Sequence, residues 1–465
     1  MRTQTSPRFL IKFPQGALAT LRERVLADSE HEQFAVLLAR TRQVGGSTIL
    51  TVVDLLFPAQ ADYQQQSGAF LRIRKAFIHQ VLVELTTRCD VDTIIDVHTH
   101  PFALSHVSFS ATDDADERSF FRFLRETFEG LHYASIVFSQ TRYAARVWTE
   151  RDGVPAARKA LIKTQTRPEQ IASADFPRSP AARVEDLELI ADDGFFHRSA
   201  LALGLDVMRT IMDDQVISLV GVGGLGSVIA EHLIHMGFQT INLVDPDELE
   251  LANLNRVVGA TFEDASAQRA KVEVVKGHLA RINPQAHIRA YQLDVHDPRI
   301  EPVLALSDWI MVATDTHASR LKAQELSLRY FVPLLSAGVN ISVKDGVVED
   351  MSGEVICARV GDGLCLQCLG RINPIQVASS LHPDRAIREA LVTRGYVRGK
   401  DVKEPAVKTL NSMLATMAVE VLINQYTQAH RHAPILVYEH NGAMSIYEDH
   451  ESVEERNKAC FLCTL

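Results

Sequence analysis

Apolar and polar residues follow two different periods along the first 150 residues. Strand-like apolar runs alternate with segments whose apolar residues recur at helical spacing. The predicted strands are 34–39, 47–57, 93–100, 133–139 and 143–149, and the predicted helices are 15–29, 69–88 and 113–128. This mixture predicts an α/β domain over residues 1–150.

From residue 191 onwards, buried strands alternate regularly with helices. The predicted strands are VISLVG (216–221), TINLVD (240–245), HIRAYQLD (287–294) and DWIMVATD (308–315), and helical segments such as 227–237 and 267–283 lie between them. Continuous apolar strands are typical of a parallel sheet that is buried on both faces. The pattern therefore predicts a doubly wound α/β domain over residues 191–465. Residues 151–190 lose this periodicity and predict a linker.

The composition is that of a soluble globular protein. The chain has 465 residues, too many for one core, and 46% of them are hydrophobic. A net charge of −10 argues against a nucleic-acid partner, because phosphate binding requires a basic surface. The first residues lack the apolar core of a signal peptide, and no apolar run is long enough for a membrane span. We therefore expect a cytoplasmic protein.

A glycine-rich turn joins the first strand and helix of the second half. The sequence GVGGLGS places Gly221, Gly223, Gly224 and Gly226 where backbone amides and a helix N-terminus can bind phosphate. Asp245 ends the next strand, where a carboxylate can bind ribose hydroxyls. On their own, these residues are equally typical of an NAD-dependent oxidoreductase.

Three charged residues further along favour a triphosphate over a dinucleotide. Arg256 and Lys271 can stabilise the charge that develops on a leaving pyrophosphate, and Asp315, at the carboxyl end of a strand, can hold Mg²⁺. The alternative interpretation is that these residues are ordinary surface charges on a loop and a helix.

Taken together, GVGGLGS, VDPDELELANLNR, Lys271 and ATDTHASR resemble the ThiF/MoeB/HesA family, relatives of ubiquitin-activating enzymes, over about residues 191–465. The resemblance implies a Rossmann-like domain that adenylates the C-terminal glycine of a ubiquitin-like protein with Mg·ATP and acts as a homodimer. The roles that it implies are ribose binding by Asp245, phosphate binding by Asn253, Arg256 and Lys271, Mg²⁺ binding by Asp315, a nucleotide contact by Arg320, and an arginine, Arg198, that reaches into the partner's active site.

Four of the six cysteines form two CxxC pairs. Cys365 and Cys368 lie in GLCLQC, and Cys460 and Cys463 lie in KACFLC at the end of the chain. Two such pairs can complete a tetrahedral structural zinc site, and they occur where the resembled family carries one. The alternative is two unrelated pairs of reduced thiols.

The crossover loop, expected at about residues 370–405, contains no cysteine that could form a thioester. Cys357 lies in an alternating strand, where a buried apolar role is favoured over catalysis, and Cys89 follows a helix of the first domain. We therefore expect that the acceptor or nucleophile comes from a separate conjugating partner.

The segment DVHTHPFALSHVSFSATDD (96–114) contains the candidate chemistry of the first domain. His98 and His100 lie on the same side of a strand, and Asp113 can act as a third ligand that leaves a position for water, as in a catalytic zinc site. His106 is an alternative ligand. Glu32, favoured over Glu30, can act as the base, and Ser110 can stabilise an oxyanion.

The pattern E…HTHP…SxxD resembles the JAMM (MPN+/JAB) metalloproteases over about residues 1–150, although the nine residues between His100 and Ser110 form a longer gap than is usual. The resemblance implies an α/β/α fold with Glu32 as general acid/base, His98, His100 and Asp113 as zinc ligands, and assistance from Ser110. The alternative is an inactive scaffold of the same fold.

The two resemblances imply a bacterial ubiquitin-like modification enzyme fused to a peptidase that matures the precursor or removes conjugates, a pairing used in antiphage defence. One alternative is activation of a sulfur carrier for thiocarboxylate formation. Another, of a different class, is a non-catalytic nucleotide-binding scaffold. An NAD-dependent oxidoreductase is the least favoured.

Overall fold

A computed structural model describes residues 9–463, except for residues 15, 45, 69, 102, 104–106, 152, 165–171, 174–193, 346, 382–405, 430–432 and 461. The chain divides into two compact units, Met1–Ala181 and Ala182–Leu465. Across the described ranges, the structure has no helix with the length and apolar character needed to cross a membrane.

In its described residues, the first unit contains strands and three α-helices. Its strands are β1 (Phe9–Lys12), β2 (Phe34–Val44), β3 (Ser47–Leu56), β4 (Tyr63–Gln66), β5 (Leu71–Ile73), β6 (Thr93–Thr99), β7 (His132–Phe138), β8 (Arg142–Arg151), β9 (Val154–Lys163) and β10 (Ala172–Ser173). Its helices are α1 (Ala17–Val25), α2 (Lys75–Thr87) and α3 (Ala111–Thr127), with a 3-10 turn at Gln60–Asp62.

The main sheet of this unit has the order β10-β8-β7-β6-β2-β3-β1-β9, and β9 also pairs with β8, so that the strand pairings close into a ring. Alternate residues of β2 enter two different cores. Leu37 packs in a core with Leu21 of α1, whereas Leu38 packs in a core with Leu85 of α2 and Leu124 of α3. The period of two along the strand therefore places helices on both faces of the sheet.

Two sequence predictions in this unit need correction. Residues 154–163, predicted as part of the linker 151–190, form β9 and pair with β1 and β8. These pairings satisfy their backbone groups within the sheet, although their side chains lack a clear period. The predicted helix 69–88 begins only at Lys75, because Leu71–Ile73 pair with Tyr63–Gln66 as a strand. The other predicted helices and strands of this unit are confirmed to within a few residues.

The second unit contains an eight-stranded sheet. Its strands are β11 (Val216–Val220), β12 (Thr240–Val244), β13 (His287–Tyr291), β14 (Trp309–Val312), β15 (Leu334–Lys344), β16 (Val347–Ala358), β17 (Ile435–Asn441) and β18 (Ala443–Glu448). Its helices are α4 (His197–Leu203), α5 (Leu205–Asp214), α6 (Gly224–His235), α7 (Phe262–Ser266), α8 (Lys271–Ile282), α9 (Glu301–Ala305), α10 (His317–Tyr330), α11 (Pro374–Leu381), α12 (Lys408–Thr427) and α13 (His450–Glu455), with a 3-10 turn at Leu251–Asn253.

The strand order is β13-β12-β11-β14-β15-β16-β17-β18, parallel from β13 to β15 and antiparallel from β15 to β18. The prediction of a Rossmann-like α/β domain is confirmed, and the sheet is extended by antiparallel strands that were not predicted as a group. After β11 the chain winds outward to β13 and then crosses to β14 on the other side of β11. The carboxyl ends of β11 and β14 therefore form a topological switch point, which is where open α/β sheets bind ligands.

Candidate active sites

Strand β6 and the start of α3 bring His98, His100 and Asp113 together in the first unit. The Nε2 atom of His98 lies 3.6 Å from Oδ1 of Asp113, and the Nε2 atom of His100 lies 3.8 Å from Oδ2 of the same carboxylate. One donor atom from each residue lies within 4.8 Å of the other two. Zinc–ligand bonds of about 2.1 Å place tetrahedral donors about 3.4 Å apart, so this set fits a zinc ion.

The buried state of the histidines agrees with this fit. In the described part of the chain, Nε2 of His98 is buried without a hydrogen-bond partner, as expected for an atom that is placed to bind a metal. Burial lowers the pKa of His98, but nearby carboxylates, led by Asp113, outweigh it and raise this pKa. Burial and the neighbouring His98 lower the pKa of His100. The lowered pKa of His100 favours its neutral imidazole, which is the form that binds metal.

Ser110 is the N-cap of α3 and holds the third ligand. Its hydroxyl accepts a hydrogen bond from the amide of Asp113 (3.2 Å), and its own amide donates to Oδ2 of Asp113 (2.6 Å). Burial raises the pKa of Asp113, but His98 and the Ser110 amide lower this pKa by more than burial raises it. The net pKa of Asp113 therefore lies below its usual value. Asp113 is therefore a carboxylate of fixed orientation. His106, the alternative ligand, lies outside the described residues.

Glu32 approaches the same site from the segment just before β2. Phe34 is paired with His98 in the antiparallel register of β2 and β6, and Glu32 lies two residues before Phe34, where its charge interacts with those of His98 and Asp113. Burial raises the pKa of Glu32 to about 7, helped by Asp113 and opposed by His98. Such a carboxyl can both accept and donate a proton near neutral pH. Glu30, by contrast, is exposed.

The glycine-rich turn of the second unit lies between β11 and α6, where close packing excludes side chains. Gly221 has a φ of 91°, and a Cβ there would lie 2.7 Å from the carbonyl oxygen of Ala313. A Cβ at Gly226 would lie 1.9 Å from the carbonyl oxygen of Gly221. Only glycine fits both positions, so the turn stays tight and α6 begins directly at the switch point.

Asp245 and Lys271 lie beside this turn. Asp245 is buried at the carboxyl end of β12, and its carboxylate accepts hydrogen bonds from the amides of Val222 (2.6 Å) and Asp247 (2.9 Å). Burial raises the pKa of Asp245, and Lys271 partly offsets this rise. The Nζ atom of Lys271 lies 2.7 Å from Oδ2 of Asp247. Asp245 therefore holds the backbone at Val222 and Asp247 in place through hydrogen bonds. Each of its carboxylate oxygens keeps a lone pair that can accept a hydrogen bond from a ribose hydroxyl.

Arg256 lies against the glycine turn. A Cβ at Gly224 would lie 2.8 Å from Cδ of Arg256, whose Nη1 donates to the carbonyl oxygen of Ala252. The same Cβ would lie 2.6 Å from Nδ2 of Asn411, a buried residue of α12. Asn253 is buried, and its Oδ1 accepts from the amide of Glu250. Asn411 was not predicted from the sequence, because it belongs to a distant helix and lies in no motif.

The remaining predicted residues of the nucleotide site lie at both edges of the sheet. Asp315 is exposed just after β14, at the same edge as the glycine turn, and Nε of Arg320 donates to the carbonyl oxygen of Thr314. Arg198 is exposed on α4, and Phe196 of this segment packs near Gly237 in the turn before β12. That turn precedes β12, so Arg198 lies toward the amino edge of the sheet, away from the other candidates.

The four CxxC cysteines converge in the second unit. The Sγ atoms of Cys365 and Cys460 are 3.7 Å apart, and those of Cys368 and Cys463 are 3.9 Å apart. Zinc–sulfur bonds of about 2.3 Å place tetrahedral thiolates about 3.8 Å apart, so the set fits a zinc ion. The amide of Cys365 also donates to Sγ of Cys368. Burial raises the pKa of Cys365 to about 12, so its thiolate requires a compensating cation.

Of the two remaining cysteines, Cys357 lacks the properties of a catalytic nucleophile. Cys357 is buried in β16 opposite Leu335, and burial raises the pKa of its thiol to about 12. Cys89 is exposed in the first unit. Of the expected crossover loop, residues 370–381 are described and include α11, and residues 382–405 lie outside the described residues.

Comparison with known proteins matches a family model to the second unit. A profile of the ThiF family matches residues 196–462. The tRNA threonylcarbamoyladenosine dehydratase of Bacillus subtilis (strain 168) is 30% identical over 143 residues, which cover 30% of this chain and 55% of that protein. The sulfur carrier protein ThiS adenylyltransferase of Escherichia coli (strain K12) is 30% identical over 135 residues, which cover 29% of this chain and 53% of that protein.

The molybdopterin-synthase adenylyltransferase of Escherichia coli (strain K12) is 28% identical over 194 residues, which cover 41% of this chain and 72% of that protein. The chain thus spans about half the length of the first two relatives.

Proposed function

This chain belongs to the ThiF family, and we propose that its second unit uses Mg·ATP to adenylate the C-terminal glycine of a ubiquitin-like or sulfur-carrier protein. The observation that carries this proposal is the grouping of Asp245, Arg256 and Lys271 around the glycine turn at the switch point of the sheet. Two relatives are named as adenylyltransferases, which supports the same activity.

In the proposed reaction, a carboxylate oxygen of the carrier attacks the α-phosphorus of ATP. The bond from this phosphorus to the oxygen that bridges to the β-phosphorus breaks, and pyrophosphate leaves. Lys271 leaves its ion pair with Asp247 and binds the phosphates instead. Lys271 and Arg256 then stabilise the negative charge on the leaving pyrophosphate. Asp315 would hold Mg²⁺, which would further neutralise the charge of the phosphates. Arg198 contributes to the site of a partner subunit in a homodimer.

Pyrophosphate exchange into ATP, driven by a small carrier protein that ends in glycine, tests this proposal. Lys271→Ala is expected to lower the exchange rate at least about 100-fold, as loss of a transition-state charge contact does. Lys276→Ala is the matched control, because Lys276 lies on the same helix and pairs with Glu273 on its surface. Equal exchange rates for the two variants would remove Lys271 from the reaction.

The sulfur-carrier version is a specific second candidate. The segment 370–405 contains no cysteine, and Cys357 is buried with a raised pKa, so neither the expected crossover loop nor Cys357 offers a thiol for a thioester. Sulfide from a separate donor would then attack the carbonyl carbon of the acyl-adenylate, so that a thiocarboxylate forms and AMP leaves. Mass analysis of the carrier separates the two: a thiocarboxylate formed with a sulfur donor favours this version, and an adduct to another protein's amine favours conjugation.

For the first unit, we propose a zinc peptidase that cuts after the terminal glycine of such a carrier. The proposal is supported by the convergence of His98, His100 and Asp113 with Glu32 beside them. Zinc, when bound, would polarise the scissile carbonyl and the attacking water. Glu32 accepts the proton of this water and returns it to the leaving amine. Ser110 donates its hydroxyl proton in a hydrogen bond to the oxyanion.

Cleavage of a carrier that is extended beyond its glycine tests the peptidase. His100→Ala is expected to abolish the cleavage and to remove one zinc ion, whereas His79→Ala, on the exposed surface of α2, is expected to do neither. Cleavage that persists in His100→Ala would refute the zinc mechanism. Precursor maturation and removal of conjugates are both consistent with this chemistry. We further propose that the four cysteines hold a structural zinc in the second unit.

A further inference from the structure

A buried arginine, Arg146, contacts the segment that contains Asp113, the third candidate metal ligand. Arg146, on β8, is 9% exposed. Its Nη1 lies 2.5 Å from Oδ1 of Asp114, its Nε lies 2.8 Å from Oε2 of Glu117, and its Cζ lies 3.7 Å from the ring centroid of Phe109. All three partners belong to residues 109–117, which contain Ser110 and Asp113.

The partners of Arg146 are themselves fixed in place. Oε2 of Glu117 also accepts hydrogen bonds from the Ser135 hydroxyl and from Nε1 of Trp148 (2.7 Å). The Trp148 ring centroid lies 5.2 Å from Cζ of Arg146, so the guanidinium contacts two aromatic rings. A planar fork with several donors and a stacking face makes these contacts together, and a lysine cannot.

These contacts lead directly to the candidate metal site. The Phe109 ring stands edge-on to the His98 ring, with centroids 6.0 Å apart. Asp114 follows Asp113, whose carboxylate lies 3.6 Å from His98. Arg146 therefore holds the chain on both sides of the Ser110–Asp113 capping box, one contact before it and two after it.

We propose that Arg146 is a positioning residue that sets the affinity of the first unit for zinc by holding Asp113 and His98 at coordination distance. This inference rests on the proposed zinc site. If Arg146 served only the folding of the unit, its loss would lower stability without changing the affinity of the folded protein for zinc. Ligand placement predicts a loss of affinity in a protein that remains folded.

Zinc affinity of the full-length protein, measured by competition with a chromophoric chelator, tests the inference. The difference in bound zinc between wild type and His98→Ala is the signal that belongs to this site. Arg146→Met is expected to weaken that zinc about 10- to 100-fold, the range typical of outer-shell partners, and Arg146→Lys less so. Arg88→Met is the matched control, because Arg88 also pairs with carboxylates of the same unit, those of Asp54, Glu84 and Asp90, and this variant is expected to keep wild-type affinity.

The near-ultraviolet circular dichroism of each metal-free variant establishes that it is folded. If Arg146→Met is unfolded, Asp114→Asn carries the test, because it removes one ion pair from a half-exposed carboxylate and is expected to weaken zinc a few-fold. If the folded Arg146 variants bind zinc with wild-type affinity, the positioning role is overturned and the zinc site stands. If Arg146→Met is unfolded, wild-type zinc affinity in Asp114→Asn has the same meaning. Equal zinc content in wild type and His98→Ala overturns the zinc site itself and the positioning role with it.

Discussion

The buried carboxyl of Glu32 makes a prediction that links chemistry to stability. Its side chain is 9% exposed, and burial raises its pKa from 4.5 to about 7. Between these two pH values the folded protein binds a proton that the unfolded chain releases. The free energy of unfolding therefore falls as the pH rises from 4.5 to 7. The deprotonated form of Glu32 is the proposed catalytic base. The form that the proposed reaction requires is therefore the form that lowers the free energy of unfolding.

The separation of the two pKa values sets the size of the effect. It corresponds to an upper limit of about 3 kcal/mol, at about 1.4 kcal/mol per pH unit. Glu32→Gln stays neutral at every pH. We therefore expect the metal-free variant to be more stable than wild type by up to about 3 kcal/mol at pH 8, and equally stable below pH 4.5, while peptidase activity is lost.

Urea unfolding followed by tryptophan fluorescence measures this difference. The chain has two tryptophans, and in a Trp309→Phe background the fluorescence of Trp148 reports the first unit alone. Glu30→Gln, at an exposed position, is the control and is expected to show no pH-dependent gain. A constant difference between Glu32→Gln and wild type from pH 4 to pH 8 would refute the buried, raised-pKa carboxyl.

Five further substitutions have clear expected results. Gly226→Ala should abolish ATP binding or the folding of the second unit, because the new Cβ would lie 1.9 Å from a carbonyl oxygen. Gly277→Ala should stabilise the second unit by about 1 kcal/mol, because Gly277 lies in α8 and a Cβ there would meet no atom of another segment within 4 Å. Thermal unfolding and ATP titration of each variant measure these effects. Cys463→Ser should cost one zinc ion by metal analysis, and Cys89→Ser should cost none. Cys357→Ala should retain pyrophosphate exchange, since its thiol is buried with a pKa of about 12; loss of exchange in a folded variant would contradict this.

The two halves of the chain differ in how far their sequence could be interpreted. In the second unit, strand periodicity and the glycine turn predicted the Rossmann-like sheet, because a buried parallel strand followed by glycine is a local pattern. The strand at 154–163 was missed, since its pairing with β1 and β8 depends on strands that are distant in the sequence. The start of α2 was misplaced, because Leu71–Ile73 have a partner strand that no local pattern indicates.

The sequence by itself determined the types and spacing of the candidate ligands: two histidines on one face of a strand, a capped aspartate, and two CxxC pairs. Only the tertiary structure decided what surrounds them. Burial raises the pKa of Glu32, Arg146 grips residues 109–117 from another strand, and Asn411 reaches the glycine turn from α12. The reason is physical: residue type and spacing are local properties, whereas desolvation and contacts between remote segments exist only once the chain has folded.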